Sequence, residues 1–205
     1  GGSASQKELG KYTLQPYFNY HQIRQIHCWF VSHCDYDHCS GQMEVLESGM
    51  KVDTVIFARQ VEKNENYRHL VKELNAHQVR ILSMSARNRC VVGSLTFEAL
   101  DGMKVGESYD CNERSLILKV SAKNGFVGLF GGDISERNEQ VLIERYHPVR
   151  LSLLKLSHHG SNGSNQTPLL DWSDPQVAIV SAGANNIYHH PGAETIQRLD
   201  EKKIP

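Results

Sequence analysis

The ten residues SHCDYDHCSG at 32–41 decide the reading of this chain. They place His33, Asp35, Asp37 and His38 within six residues, so two imidazoles and two carboxylates compete for one short loop. A solvated loop with an Asx-turn is the plainer alternative for this stretch alone, whereas a divalent cation relieves the carboxylate repulsion and uses the imidazole lone pairs. The loop follows Ile26–Val31, an apolar run rich in aromatic and β-branched residues that predicts a buried strand.

The same arrangement, a strand ending in a polar loop that carries histidine or aspartate, recurs three more times. GGDIS at 131–135 follows the strand predicted over 126–130, SHHGSNGSN follows the strand over 151–156, and AGANNIYHHP follows the strand over 177–181. Of 11 histidines, six fall in three of these loops: His33 and His38, His158 and His159, His189 and His190. In sheets of this kind the strand ends are where loops gather ligands into one crevice.

Between these loops the spacing predicts a helix from Lys7 to Ile23 with a break or kink at Pro16. Further helices are expected over 41–48, 62–76, 136–146 (N-capped by Ser135) and 192–199. Strands are expected over 52–57, 79–82, 91–97 and 115–120. Alternating strands and helices at both ends of an antiparallel middle predict an α/β sandwich, and no repeat or linker divides residues 1–205, so one domain is expected.

The bulk composition is globular: 40% hydrophobic and 22% charged residues. With 22 basic against 23 acidic residues the net charge is -1, so no global basic field draws the chain to nucleic acid. No apolar run is long enough to span a bilayer, and no signal-peptide pattern opens the sequence. The five cysteines (28, 34, 39, 90 and 111) include no C-x-x-C pair and read as mostly buried thiols.

SHCDYDHCSG resembles the H-x-[HD]-x-D-H motif of the metallo-β-lactamase superfamily. Further stretches resemble the hydrolase domain of the ComEC competence proteins: Asn112 to Ser115 (N-x-x-S), GGDI at 131–134, LKLSHHGS at 154–161 and SAGANNIYHHP at 181–191. The resemblance implies a metallo-β-lactamase αββα sandwich and two divalent metal ions, Mn²⁺ or Zn²⁺. His33 and Asp35 would hold the first ion and Asp37 and His38 the second. Asp133 would bridge the two, and His158 would complete the second site. Two ions so held activate water and stabilise charge on an attacked phosphoryl group. Asp37 and His190 are the side chains expected to take part in the chemistry beside the ions; His190 could contact phosphate, act as general acid or serve as a late ligand.

Asp35 stands where lactamases carry a second histidine, which hardens the site toward Mn²⁺ or Mg²⁺, and Asn112 stands where many relatives carry a further histidine ligand. Both departures speak against β-lactam hydrolysis. His159 is expected to orient His158 or its loop, His189 to be surface, Ser161 and Ser164 to be turn residues, and Lys155 to reach solvent. Asn185 and Tyr188 could reach substrate, a turn asparagine and a packed tyrosine being the plainer readings. A thiolate role for Cys34 or Cys39 is rejected, because Cys34 alternates with the ligands.

The resemblance thus implies a phosphodiesterase or nuclease acting on DNA during competence-linked uptake. The alternatives are a hydrolase of small esters or phosphodiesters (lactonase, glyoxalase II or choline-phosphate esterase-like) and a non-catalytic binding domain. The last predicts an eroded ligand set, which this sequence does not have. GGSAS reads by itself as a tag scar; the resemblance implies that it is native and that the chain lacks the fold's first N-terminal and last C-terminal strands. It also implies a membrane domain elsewhere in the intact protein and an extracytoplasmic position at the bacterial plasma membrane.

Overall fold

The computed structural model describes residues 8–184 and 186–205. The reading of GGSAS and that of Asn185 lie outside them. The chain divides into two compact units, residues 1–84 and 85–205.

In the first unit the segment expected as one helix is a π-turn, Gly10–Leu14, running into α1, Gln15–Tyr20. Pro16 stands in the first turn of α1, where the pairing changes from π to α. Gly10 lies so close to the next helix that a Cβ would stand 2.6 Å from the Gly41 carbonyl. Its N–H donates to Glu44 Oε2 at 2.7 Å. A parallel sheet of β2 (Trp29–Val31), β4 (Thr54–Ala58) and β5 (Arg80–Met84) forms the apolar centre, with β1 (Gln25–Ile26) and β3 (Lys51–Val52) as a separate parallel pair.

Two helices complete this unit. α2 runs Tyr36–Glu47, five residues earlier than the sequence suggests, so half of the ligand loop is the first helical turn. α3, Glu65–Ala76, starts at Asn64, whose Oδ1 accepts the Tyr67 N–H at 2.9 Å. Its apolar stripe buries Leu70 and Leu74.

The second unit is built on a six-stranded sheet ordered β11-β10-β9-β8-β7-β6. The run expected as one strand over 91–97 folds back as a hairpin of β6 (Arg89–Val92) and β7 (Leu95–Leu100), with Gly93 in the left-handed region at φ +60°. β8 (Ile117–Ala122) and β9 (Val127–Phe130) continue the antiparallel order. β10 (Leu153–Lys155) and β11 (Ala178–Ile179) then join parallel to β9.

Because β9, β10 and β11 are parallel neighbours, their C-terminal ends share one sheet edge. GGDIS, SHHGS and NIYHHP therefore leave from the same side of the sheet. α4 (Glu136–Arg145), α5 (Thr167–Ser173) and α6 (Ala193–Glu201) carry the remaining helical residues. α5 is absent from the sequence reading: at 7 residues it is too short to show a helical period. The core joins Leu142 of α4, Leu154 of β10, Leu169 and Leu170 of α5 and Leu199 of α6.

Candidate metal-ligand clusters

Each unit holds one cluster of the expected ligands. In the first, β2 ends at Val31 and the chain enters α2 through residues 32–35. His33 is fully buried, and its ring lies 4.1 Å from that of His38. Ser32 Oγ lies 3.2 Å from His33 Nδ1 and 3.4 Å from His38 Nδ1. One hydroxyl proton cannot serve two acceptors, so at least one of these ring nitrogens donates to the serine oxygen.

With the Nδ1 atoms engaged by Ser32, the Nε2 atoms lie on the carboxylate side. His33 Nε2 is 3.9 Å from Asp35 Oδ2, and His38 Nε2 is 3.7 Å from Asp37 Oδ2. Asp35 occupies the N-cap position of α2, yet its side chain does not cap the helix. Asp37 adds negative charge to the first turn, where the helix dipole favours it.

Cys34 and Cys39 are both buried, and Cys39 Sγ donates to the Cys34 carbonyl at 3.7 Å. Burial pushes the Cys39 thiol up to about 11, with Asp35 and Asp37 adding to the effect, so it stays protonated at neutral pH. The other three cysteines are half-buried rather than buried, and no cysteine among the described residues is in a disulfide.

In the second unit Asp133 sits just past β9, buried, with its N–H donating to Ser115 Oγ at 3.1 Å. Ser115 is the serine of the N-x-x-S stretch, so that motif steadies the aspartate's backbone. The His158 N–H donates to the Gly132 carbonyl at 3.0 Å, tying the SHHGS turn to the GGDIS turn. His159 Nδ1 donates to the Ser181 carbonyl at 2.7 Å, which leaves Nε2 facing Asp133 Oδ2 at 3.4 Å. A neutral imidazole would there set a lone pair against a carboxylate oxygen. Only a proton or a cation between them makes the contact favourable. An imidazole whose other nitrogen donates to a backbone carbonyl is also the usual support of a metal-ligating histidine. The sequence assigned ligation to His158; in this turn it is His159 that lies against Asp133.

His190 lies 5.8 Å from His158 and 6.5 Å from His159 between ring centroids. Its Nδ1 is buried with no hydrogen-bond partner among the described residues. Burial and the neighbouring histidines hold its pKa below the ordinary value, against the opposing pull of Asp133. Lys155 does not simply reach solvent: its ammonium turns back to donate to the Leu156 carbonyl at 2.8 Å. Burial lowers its pKa, and Asp133 acts in the other direction.

His189 is exposed and has a left-handed backbone, and Tyr188 is exposed rather than packed. Ser161 acts within the turn, its Oγ accepting the Gly163 N–H, whereas Ser164 Oγ donates to the Ile134 carbonyl and ties the turn to the GGDIS segment. Asn112 Oδ1 is buried without a partner among the described residues.

Sequence reasoning passed over two residues that set the SHHGS turn. Asn165, fully buried, accepts the Ser157 N–H at 2.8 Å and donates to the Ser157 carbonyl at 3.0 Å. Glu139 of α4 is 1% exposed and accepts the backbone N–H groups of Asn165 and Gln166. A glutamate on an otherwise ordinary helix carries no sequence signal of this duty.

The histidine and aspartate donors of both units make candidate groups for a borderline-to-hard divalent ion. The fold around them is that of the metallo-β-lactamases. CmlA, a diiron β-hydroxylase from Streptomyces venezuelae, matches with a TM-score of 0.57 at 12% identity, over 99% of this chain and 45% of that one. The metallo-β-lactamase fold protein YhfI from Bacillus subtilis matches with a TM-score of 0.53 at 7% identity, over 92% of this chain and 75% of that one.

Within that fold the chain is related to the ComEC-like competence proteins. It is 26% identical over 196 residues to ComE operon protein 3 of Bacillus subtilis, covering 96% of the chain and 25% of that protein. It is 31% identical over 185 residues to competence protein ComA of Neisseria gonorrhoeae, covering 90% of the chain and 24% of that protein. The chain thus spans about a quarter of the length of these curated relatives. No family model matches it. Among the described residues no helix is long and apolar enough to cross a membrane.

Proposed function

We propose that this chain is a metal-dependent phosphodiesterase of the ComEC type that cleaves DNA. The supporting observation is His159, with one nitrogen committed to a backbone carbonyl and the other set against the Asp133 carboxylate, an arrangement that a bound cation, like a ring proton, would satisfy. The ComEC-like order of motifs supports assigning His33, Asp35, Asp37 and His38 to the same two-metal centre as Asp133 and His158, with residues 1–205 acting as one domain. When bound, the ions would be Mn²⁺ or Zn²⁺ and supply Lewis acidity that lowers the pKa of water and offsets phosphoryl charge.

The protein's own part is positional. Ser32 orients the rings of His33 and His38, Ser115 holds the backbone of Asp133, and Ser181 fixes the tautomer of His159. His190, whose ring stands between those of Tyr188 and His159, would hold the leaving oxygen or the phosphate. By analogy with its longer relatives, the intact protein would carry a membrane domain and act on incoming DNA outside the cytoplasm.

Cleavage of single- and double-stranded DNA is the direct test, with Mn²⁺, with Zn²⁺ and with chelator, beside Asp133→Ala. Metal-dependent cleavage that disappears in the variant is the expected result. Normal metal binding with no cleavage of any nucleic acid would overturn the proposal and leave small esters or phosphodiesters as substrates.

A further inference from the structure

Tyr188 is 72% exposed, in the loop that follows β11. The loop that presents it is braced on both sides. The His190 N–H donates to Asn186 Oδ1 at 2.8 Å, and Asn186 Nδ2 donates to the carbonyls of Gly183 and His190. The His189 N–H donates to the Asn186 carbonyl, and the Gly192 N–H donates to the Gly160 carbonyl at the end of the SHHGS turn.

The ring of Tyr188 lies 5.9 Å from that of His190 at an interplanar angle of 20°. His190 in turn lies 6.5 Å from His159 at 17°. Three near-parallel rings therefore run from solvent to the histidine that faces Asp133. Stacking on His190 orients the tyrosine ring, and most of its surface stays open. Its neighbours in sequence are Ile187, also exposed, and the imidazoles of His189 and His190. A flat exposed ring beside a phosphodiester-cleaving centre suits a nucleobase, because every base has a π-face and stacks without regard to sequence.

We propose that Tyr188 is the stacking subsite for a nucleobase next to the scissile phosphodiester, so that the substrate is nucleic acid with unpaired bases rather than a small aliphatic ester. This inference rests on the hydrolase reading given above.

The test is binding of a fluorescently labelled oligothymidylate, and of the same backbone with abasic residues, in chelator so that nothing is cleaved. Fluorescence anisotropy at low salt compares the 205-residue chain with Tyr188→Phe and Tyr188→Ala. Tyr188→Ala should weaken oligothymidylate binding roughly five- to a hundredfold while leaving the abasic strand unchanged, and Tyr188→Phe should bind as the parent does. Equal affinity of parent and Tyr188→Ala for oligothymidylate would overturn the subsite. So would an equal loss for both strands, which marks a general surface effect. Failure of the two readings can be told apart. Base-dependent binding without metal-dependent cleavage sinks the nuclease and keeps the subsite; cleavage that is indifferent to Tyr188→Ala on both strands does the reverse.

Discussion

Replacing Glu139 with Gln should change how the stability of the second unit depends on pH. The carboxyl group is buried on α4 and accepts the Asn165 and Gln166 N–H groups. Burial nevertheless dominates and raises it from the ordinary 4.5 to about 7, with Glu136 adding to the rise and the two N–H donors and Arg198 opposing it. The pKa is higher in the folded state than in the unfolded chain. The stabilisation is therefore fully present below about pH 4.5, declines as the pH rises, and is gone above about pH 7.

At about 1.4 kcal/mol for each pH unit between the two values, the group should cost the folded state roughly 3 kcal/mol between pH 4 and pH 8. That is measurable against a total stability of about 5–15 kcal/mol. The amide introduced by Glu139→Gln cannot ionise, so the variant lacks this slope. That amide instead sets an NH₂ against a backbone N–H, a penalty that does not vary with pH. Urea unfolding at a series of pH values, followed by Trp172 fluorescence in a Trp29→Phe background, gives the difference between the two proteins. The parent should lose roughly 3 kcal/mol relative to the variant on going from pH 4 to pH 8. A difference that stays flat across this range would refute the reasoning, since the two N–H donors would then hold the carboxylate ionised throughout.

Asn165→Ala strips partners from the buried N–H and carbonyl of Ser157, which should cost about 2–5 kcal/mol in urea unfolding. In isothermal titration it should also weaken Mn²⁺ binding about 10- to 100-fold by loosening the turn that carries His158 and His159. Leu142→Ala, at a fully buried core position, should cost roughly 2–5 kcal/mol in the same unfolding assay without altering metal affinity. Cys34 and Cys39 should resist N-ethylmaleimide in the folded protein at neutral pH while Cys28, Cys90 and Cys111 react, as read by mass spectrometry. Rapid labelling of Cys39 would show that its thiol is neither buried nor held protonated.

The strand-then-loop rhythm of the chain was legible in the sequence because it depends on local chemistry alone. Apolar β-branched runs cannot stay in water, and dense clusters such as His33, Asp35, Asp37 and His38 make little sense without a cation. That was enough for an α/β sandwich and for the loops that carry the candidate ligands. Boundaries were less legible wherever tertiary contacts set them. α2 starts at Tyr36 rather than Gly41, and a left-handed Gly93 turns one apolar run into a hairpin. The parallel pairing of β9, β10 and β11 brings GGDIS, SHHGS and NIYHHP to one edge, and no sequence period records which strands will be neighbours. Nor could the sequence show that His159 faces Asp133, that Tyr188 stands open on His190, or that Glu139 holds the turn from beneath. Those facts depend on hydrogen bonds and ring contacts between residues up to 26 positions apart, which exist only once the sheet has formed.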